Sequence, residues 1–201
     1  MNTMLTRLAT SILLVLIIFL VIYLENIWIF SLAISFVCIL GIFEWVTNKF
    51  ENIFLGLLII FSFGSCSILY VLLNENFYLF YGLIIMNTAI FDTFAYVIGS
   101  KLGANFIVKK ISPNKTLEGL IGGMIGSIIF GLMSGHIFDI NFLALIFMLG
   151  GFLAFIGDLL ISYFKRQSGV KDTGSILPGH GGILDRIDSH LIATPILILL
   201  L

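Results

Sequence analysis

The sequence predicts an all-α, polytopic integral membrane protein with about seven transmembrane helices and a cytoplasmic N-terminus. Three observations carry this. Of the 201 residues, 60% are hydrophobic and only 10% are charged, against about 45–50% and about 25% in a soluble domain. The mean hydropathy is +1.17. Apolar runs of spanning length recur along the whole chain, and the basic residues fall into alternate gaps between them. This composition excludes a water-soluble enzyme, a disordered chain, a fibrous protein and a disulfide-stapled secreted domain. A net charge of -1 leaves no basic surface for nucleic acid.

A bilayer-crossing helix needs about 20 mostly apolar residues. The runs that meet this are Leu8–Leu24, Ile27–Phe43, Ile53–Leu73, Phe77–Ile98, Leu117–Phe138, Asn141–Phe164 and the shorter Leu184–Leu201. The first resembles a signal peptide in having Arg7 ahead of it. Its apolar stretch is longer than a signal core and no small-x-small cleavage site follows, so it reads as a retained span. Cys38 and Cys66 sit in apolar runs and read as small membrane-buried residues rather than a disulfide or metal pair.

All ten Lys and Arg residues fall on one side of this arrangement: Arg7, Lys49, the group Lys101, Lys109, Lys110 and Lys115, and the group Lys165, Arg166, Lys171 and Arg186. The gaps near Glu25, Glu75 and Asp139 contain none. The positive-inside rule then makes the basic side cytoplasmic, in the cell (inner) membrane. No linker, low-complexity tract or repeat divides the chain, so residues 1–201 read as one membrane domain. Residues 1–80 are nearly featureless spans, whereas most charge, Gly and Pro lie from about residue 90 onward.

Within that second part, polar residues stand where they are costly. Asp92 lies near the cytoplasmic end of the fourth span and Asp158 about two turns before the end of the sixth. An Asp at a helix centre is unfavourable by about 2.5–3.5 kcal/mol, so an intramembrane acid marks a functional site or a carboxylate paired with a neighbouring lysine. Asp158, Ser162 and Lys165 share one helix face, as do Asp92, Tyr96 and Gly99, and as do Asp185 and Asp188.

Residues 165–190 form the densest polar run, with five glycines, four basic residues and three acids. Magnesium takes hard oxygen ligands, usually one or two carboxylates plus substrate phosphates. Asp158, Asp172, Asp185 and Asp188 supply carboxylates. Lys165, Arg166, Lys171 and Arg186 supply positive charge for phosphates. Gly179, Gly181 and Gly182 let backbone N–H groups approach an anion. Together these suit a polyphosphate. His180 reads equally as a general base, a donor to phosphate or a packed loop residue. His190 reads as packing and His136 as an incidental loop residue. No His/Cys cluster indicates zinc, and no G-x-x-x-x-G-K-[ST] loop is present.

A second polar cluster spans residues 112–123. Either Ser112 or Thr116 caps the fifth helix, whose N-terminus attracts phosphate, and Lys115 adds charge there. A plain helix start with a snorkelling lysine reads as well. Glycines at four-residue spacing in the fifth span (Gly119 and Gly123, Gly122 and Gly126, Gly131 and Gly135) permit close helix contact, either at a dimer face or within the monomer.

The run from Ser162 to Asp188, SYFKRQSGVKDTGSILPGHGGILDRID, resembles the signature of the phosphatidate cytidylyltransferases, or CDP-diacylglycerol synthases, with every fixed position filled. The segments Asp92–Tyr96, Ser112–Gly119 and Gly157–Asp158 resemble family blocks in the right order. The resemblance covers about residues 90–192 and marks them as the catalytic region. It implies synthesis of CDP-diacylglycerol and pyrophosphate from CTP and phosphatidate, a need for Mg²⁺ with room for a monovalent cation such as K⁺, and a homodimer. It carries the metal acids to Asp158 and Asp185 and matches Asp172 and Asp188 to other family acids. For a reaction of that kind, Lys165, Arg166 and Lys171 are assigned to the triphosphate or the departing pyrophosphate and Arg186 to the phosphatidate headgroup. Asp92, Tyr96, Ser112, Lys115, Thr116, Gly179, His180, Gly181, Gly182 and Asp188 are candidate substrate contacts. The first half is short for this family by one or two spans, the last helix is short, and Asn114 stands where a Lys is common. Two other readings stay open: a CTP-using enzyme acting on another lipid phosphate or a polyprenol, and a transporter with intramembrane acids.

The charge pattern has a direct test. Asp139→Cys is expected to react with a membrane-impermeant maleimide in intact cells, and Lys110→Cys only after permeabilisation. The reverse pattern would invert the topology.

Overall fold

A computed structural model describes residues 3–73, 77–179 and 181–201. The helices are α1 (Thr3–Tyr23), α2 (Ile27–Thr47), α3 (Ile53–Leu73), α4 (Phe77–Leu102), α5 (Leu117–Phe138), α6 (Leu143–Gln167) and α7 (Leu184–Leu200). Apart from these, the described residues form only two isolated antiparallel bridges, Phe106 with Thr116 and Leu177 with Gly181. Six helices, α1 to α6, are long and apolar enough to cross a membrane, while α7 has 17 residues. The chain is a multi-pass membrane protein. Each expected span is a helix, and the differences lie at the ends. Helix α2 runs four residues past Phe43, α4 continues to Leu102 and α6 to Gln167. Lys101, Lys165 and Arg166 therefore sit in last turns of helices rather than in loops. A cation there favours the negative end of the helix dipole. His136 likewise belongs to the last turn of α5, not to a loop.

The chain packs as two compact units. The first comprises the residues up to Gly82 together with Phe164–Ile187. Asn26 caps α2, its side chain accepting from the N–H groups of Trp28 and Ile29. Small residues let α2 and α3 meet closely: a Cβ at Gly56 would enter the Trp45 ring, and one at Gly64 would lie 2.8 Å from Cys38 Sγ. Trp45 packs on Phe50 and Phe164 with centroids 5.3 and 4.9 Å apart. Phe30 meets Tyr78 and Tyr81 edge to face, an arrangement the ring quadrupoles favour. Both cysteines are free thiols. Helix α1 presents Leu13, Leu16 and Phe19 outward, as lipid contact requires.

The second unit comprises Leu83–Tyr163 and Asp188–Leu201. Its core joins Phe91, Ala154, Phe155 and Ala193. The glycines of α5 are spent inside this unit: Cβ atoms at Gly122, Gly123 and Gly126 would come within 3.0 Å of Ile98, Phe91 and Phe94, and one at Gly131 within 2.5 Å of Ala144. The sequence left open a dimer face or internal packing for this stripe, and the contacts are internal. His190 is packed, as expected, with its ring 3.0 Å from Thr88 Oγ1 and 3.2 Å from Thr194 Oγ1.

Overpacking a helix contact costs about 1–3 kcal/mol. Gly123→Leu should therefore lower the melting temperature of the detergent-solubilised protein, whereas Ile125→Leu, on the outward face of α5, should not. Equal effects would remove the close-contact role of the glycine stripe.

Candidate active site

The candidate residues fall into two clusters, one in each unit. In the first unit, α6 ends at Gln167 and the chain turns at Gly169, whose φ of +72° suits a glycine at the close of a helix. The loop that follows is pinned at both ends. Val170 N–H donates to the Lys165 carbonyl, and Arg166 Nη1 donates to the Val170 carbonyl. Leu177 N–H donates to the Gly181 carbonyl across a tight reversal. That reversal needs Gly179 and Gly181 at φ of +80° and +82°, a region β-carbons disfavour. Thr10 of α1 donates to the Pro178 carbonyl at 3.3 Å. Lys171, Asp172, Gly179 and Arg186 are exposed. His180 lies outside the described residues.

The centre of this cluster is Asp185, in the first turn of α7. Its Oδ1 accepts from Lys165 Nζ at 2.8 Å. Its Oδ2 accepts from Thr173 N–H at 2.8 Å and Gly182 N–H at 3.1 Å. The Asp185 side chain is 6% exposed. A carboxylate removed from water costs several kcal/mol unless it is paired and hydrogen-bonded; one cation and two backbone donors meet that need.

Sequence reasoning missed the group beside it. Glu44, in the last turn of α2, is 2% exposed. Its carboxylate accepts from Thr173 Oγ1, Ile183 N–H and Leu184 N–H, each at 2.8 Å. A span ended at Phe43 leaves Glu44 looking like a loop acid. The available signal was that GIFEWV is apolar on both sides of it, and an acid inside a span is costly.

In the second unit, Lys115 Nζ lies 2.5 Å from Asp158 Oδ2 and 4.6 Å above the Phe155 ring. Ser162 Oγ donates to Asp158 Oδ1 at 3.1 Å, as their shared helix face predicts. The loop that carries Lys115 is folded back on itself: Ile107 N–H donates to the Lys115 carbonyl and Leu117 N–H to the Asn105 carbonyl. Glu118 clamps the same loop by accepting from the backbone of Ala104 and Asn105 and from Asn105 Nδ2. Thr116, not Ser112, caps α5. Its φ and ψ are -114° and 155°, and its Oγ1 accepts from Gly119 N–H.

These elements line an open cavity of about 300 Å³. Its polar lining is Asp92, Tyr96, Ser112, Asn114, Lys115, Thr116 and Asp158, and its apolar lining includes Phe91, Leu120 and Phe155. Tyr96 is 76% exposed and stands at the rim. Asp188 accepts from Ser189 N–H. A Cβ at Gly157 would strike the Asp188 carbonyl, so the glycine of the Gly157–Asp158 block lets α6 and α7 touch backbone to backbone.

Among the described residues no three His, Cys, Asp or Glu side chains gather as a metal cage. Magnesium does not need one, because it takes one or two carboxylates and completes its shell with water and phosphates. Asp158 and Asp185 are donors of that kind, and each holds a lysine where a cation's charge would be accepted.

Comparison with known proteins places these segments. A model of the cytidylyltransferase family matches residues 46–201. A phosphatidate cytidylyltransferase of Staphylococcus haemolyticus (strain JCSC1435) is 46% identical over 114 residues, covering 55% of this chain and 44% of that protein. The Staphylococcus saprophyticus protein of the same name is also 46% identical over 114 residues. That of Staphylococcus aureus (strain COL) is 48% identical over 117 residues, with the same shares of each chain. The matched part thus spans less than half the length of these curated relatives.

The N-cap in the cavity lining is measurable by itself. Thr116→Ala should cost about 1 kcal/mol of stability, and Thr116→Ser should restore most of it. A Thr116→Ala protein that melts like wild type would show that the Oγ1 contact carries no weight.

Proposed function

The chain belongs to the cytidylyltransferase family, and from that membership we propose that it transfers the cytidylyl group of CTP to phosphatidate, giving CDP-diacylglycerol and pyrophosphate. The relatives so named support this reading. So does the observation that carries it: each unit sets an aspartate against a lysine, Asp158 with Lys115 and Asp185 with Lys165. Nucleotidyl transfer from a metal-bound triphosphate requires both kinds of group, an acid for the metal and a cation for phosphate oxygens.

In the proposed reaction a phosphate oxygen of phosphatidate attacks the α-phosphorus of CTP in line. The bond from that phosphorus to the bridging oxygen breaks, and pyrophosphate leaves with the electron pair. The attacking oxygen is already anionic, so no strong general base is needed. The work is positioning and charge neutralisation. Asp158 and Asp185 are assigned to Mg²⁺, on the strength of the Gly157–Asp158 and Asp185–Arg186 sequence blocks. Magnesium held by such acids would neutralise triphosphate charge and make pyrophosphate a better leaving group. A monovalent cation such as K⁺ is part of the same proposal.

Lys165, Arg166 and Lys171 are assigned to the triphosphate and the departing pyrophosphate, and Arg186 to the lipid headgroup. Lys115 and the α5 N-terminus offer a further anion contact in a cavity whose mixed polar and apolar lining suits the headgroup of a lipid phosphate. The reaction faces the cytoplasm, where CTP is, and the protein works as a homodimer, a state carried over from the family.

The assay is CDP-lipid formation from CTP, phosphatidate and Mg²⁺ in membranes containing the chain. Asp158→Asn should reduce the rate by at least two orders of magnitude while leaving the protein folded. Product from another lipid phosphate but none from phosphatidate would move the substrate. Ion flux without CTP turnover would replace the enzyme with a transporter.

A further inference from the structure

Glu44 lies just outside the segment matched by the family model, which begins at residue 46. It is among the largest fully buried side chains of the described residues, and the reaction as proposed does not use it. Its three partners explain its place. Ile183 and Leu184 supply N–H groups at the start of α7, and Thr173 supplies its hydroxyl. Four residues on, Asn48, the C-cap of α2, donates from Nδ2 to the Thr173 carbonyl at 2.6 Å. The end of α2 thus grips Thr173 by both its hydroxyl and its carbonyl. Thr173 in turn aims its N–H at Asp185 Oδ2.

The backbone around the carboxylate has been cleared to let it in. A Cβ at Gly182 would fall on the Glu44 carboxylate and the Thr173 hydroxyl, and one at Gly174 would lie 2.8 Å from Glu44 Oε1. All three hydrogen bonds of the Glu44 carboxylate are accepted ones, and all three donors belong to the segment that leads into Asp185. That pattern is a mould for one loop conformation.

We propose that Glu44 is a positioning residue for Asp185: its carboxylate, inserted from α2, locks Thr173, Ile183 and Leu184 so that the N–H groups of Thr173 and the neighbouring Gly182 hold the Asp185 carboxylate in one orientation. The inference rests on the reading of Asp185 as a metal-binding acid of the cytidylyl transfer. Groups that orient a metal ligand from behind typically matter by 10–100-fold in metal affinity or activity.

The experiment compares wild type, Glu44→Gln and Glu44→Ala as full chains in detergent, with two readouts. The first is amide hydrogen exchange over residues 171–184 without metal or nucleotide. The second is the Mg²⁺ dependence of CDP-lipid formation at saturating CTP. Glu44→Gln keeps the volume but turns one acceptor into an amide facing N–H donors. It should speed exchange in 171–184, leave the α3 and α5 peptides unchanged, and raise the Mg²⁺ activation constant about tenfold with KM for phosphatidate unaltered. Glu44→Ala should do more of the same.

Wild-type exchange and wild-type Mg²⁺ dependence in both variants would overturn the proposal. So would a uniform loss in which KM for phosphatidate and exchange in every helix change together, because that marks general destabilisation. If the wild type forms no CDP-lipid from any lipid phosphate, the functional reading fails by itself. The exchange data still decide then whether Glu44 locks the segment: faster exchange confined to 171–184 supports the lock, and unchanged exchange ends it.

Discussion

A carboxylate placed in a chain this apolar must bring its own donors. Removing such an ion from water costs several kcal/mol even after relaxation, and a membrane offers no solvent to repair the loss. Three of the described acids meet this demand in different ways. Asp158 takes a lysine and a serine, Asp185 a lysine and two backbone N–H groups, and Glu44 a threonine hydroxyl and two N–H groups. Each pairing ties down a stretch of chain that has no regular structure of its own. The loop from Gly103 to Thr116 packs around Lys115, and Thr173, Gly182 and Ile183 are tied to Asp185 and Glu44.

The second constraint is closeness. Helices in lipid gain little from hydrophobic burial against one another, so contact depends on fit and on small residues. Gly122, Gly123 and Gly126 bring α5 onto α4, and Gly157 brings α6 onto α7 at Asp188. Closeness therefore serves the site directly: Gly119 sits against Gly99 and the Ala95 carbonyl, which seats the N-terminus of α5 beside the wall of the cavity that holds Asp92 and Tyr96.

The two constraints explain what was legible. Helix number and order were readable because spanning length and apolarity are local properties. Ser162 on Asp158 was readable because i, i+4 spacing dictates a shared face. Thr116 over Ser112 as the cap was not, since both precede the helix at plausible distances, and only the fold-back of the loop onto Asn105 and Ile107 decides which residue stands at the helix start. Glu44 was missed because helix ends blur by a few residues, and four extra residues of α2 turn a loop acid into a buried one.

Sequence by itself determined a multi-pass helical chain, its membership of a family, and the residue types on which chemistry of this kind depends, because hydropathy, charge and motif spacing are written along the chain. Tertiary structure alone decided which lysine meets which aspartate, that the α5 glycines face inward, and that Glu44 stands behind Asp185. The physical reason is sequence distance. Lys115 and Asp158 are separated by all of α5, the loop after it and much of α6, and Glu44 reaches Leu184 over 140 positions. No local pattern encodes such a pairing; it exists only once apolar packing has brought the helices together and each stranded charge has found its donor.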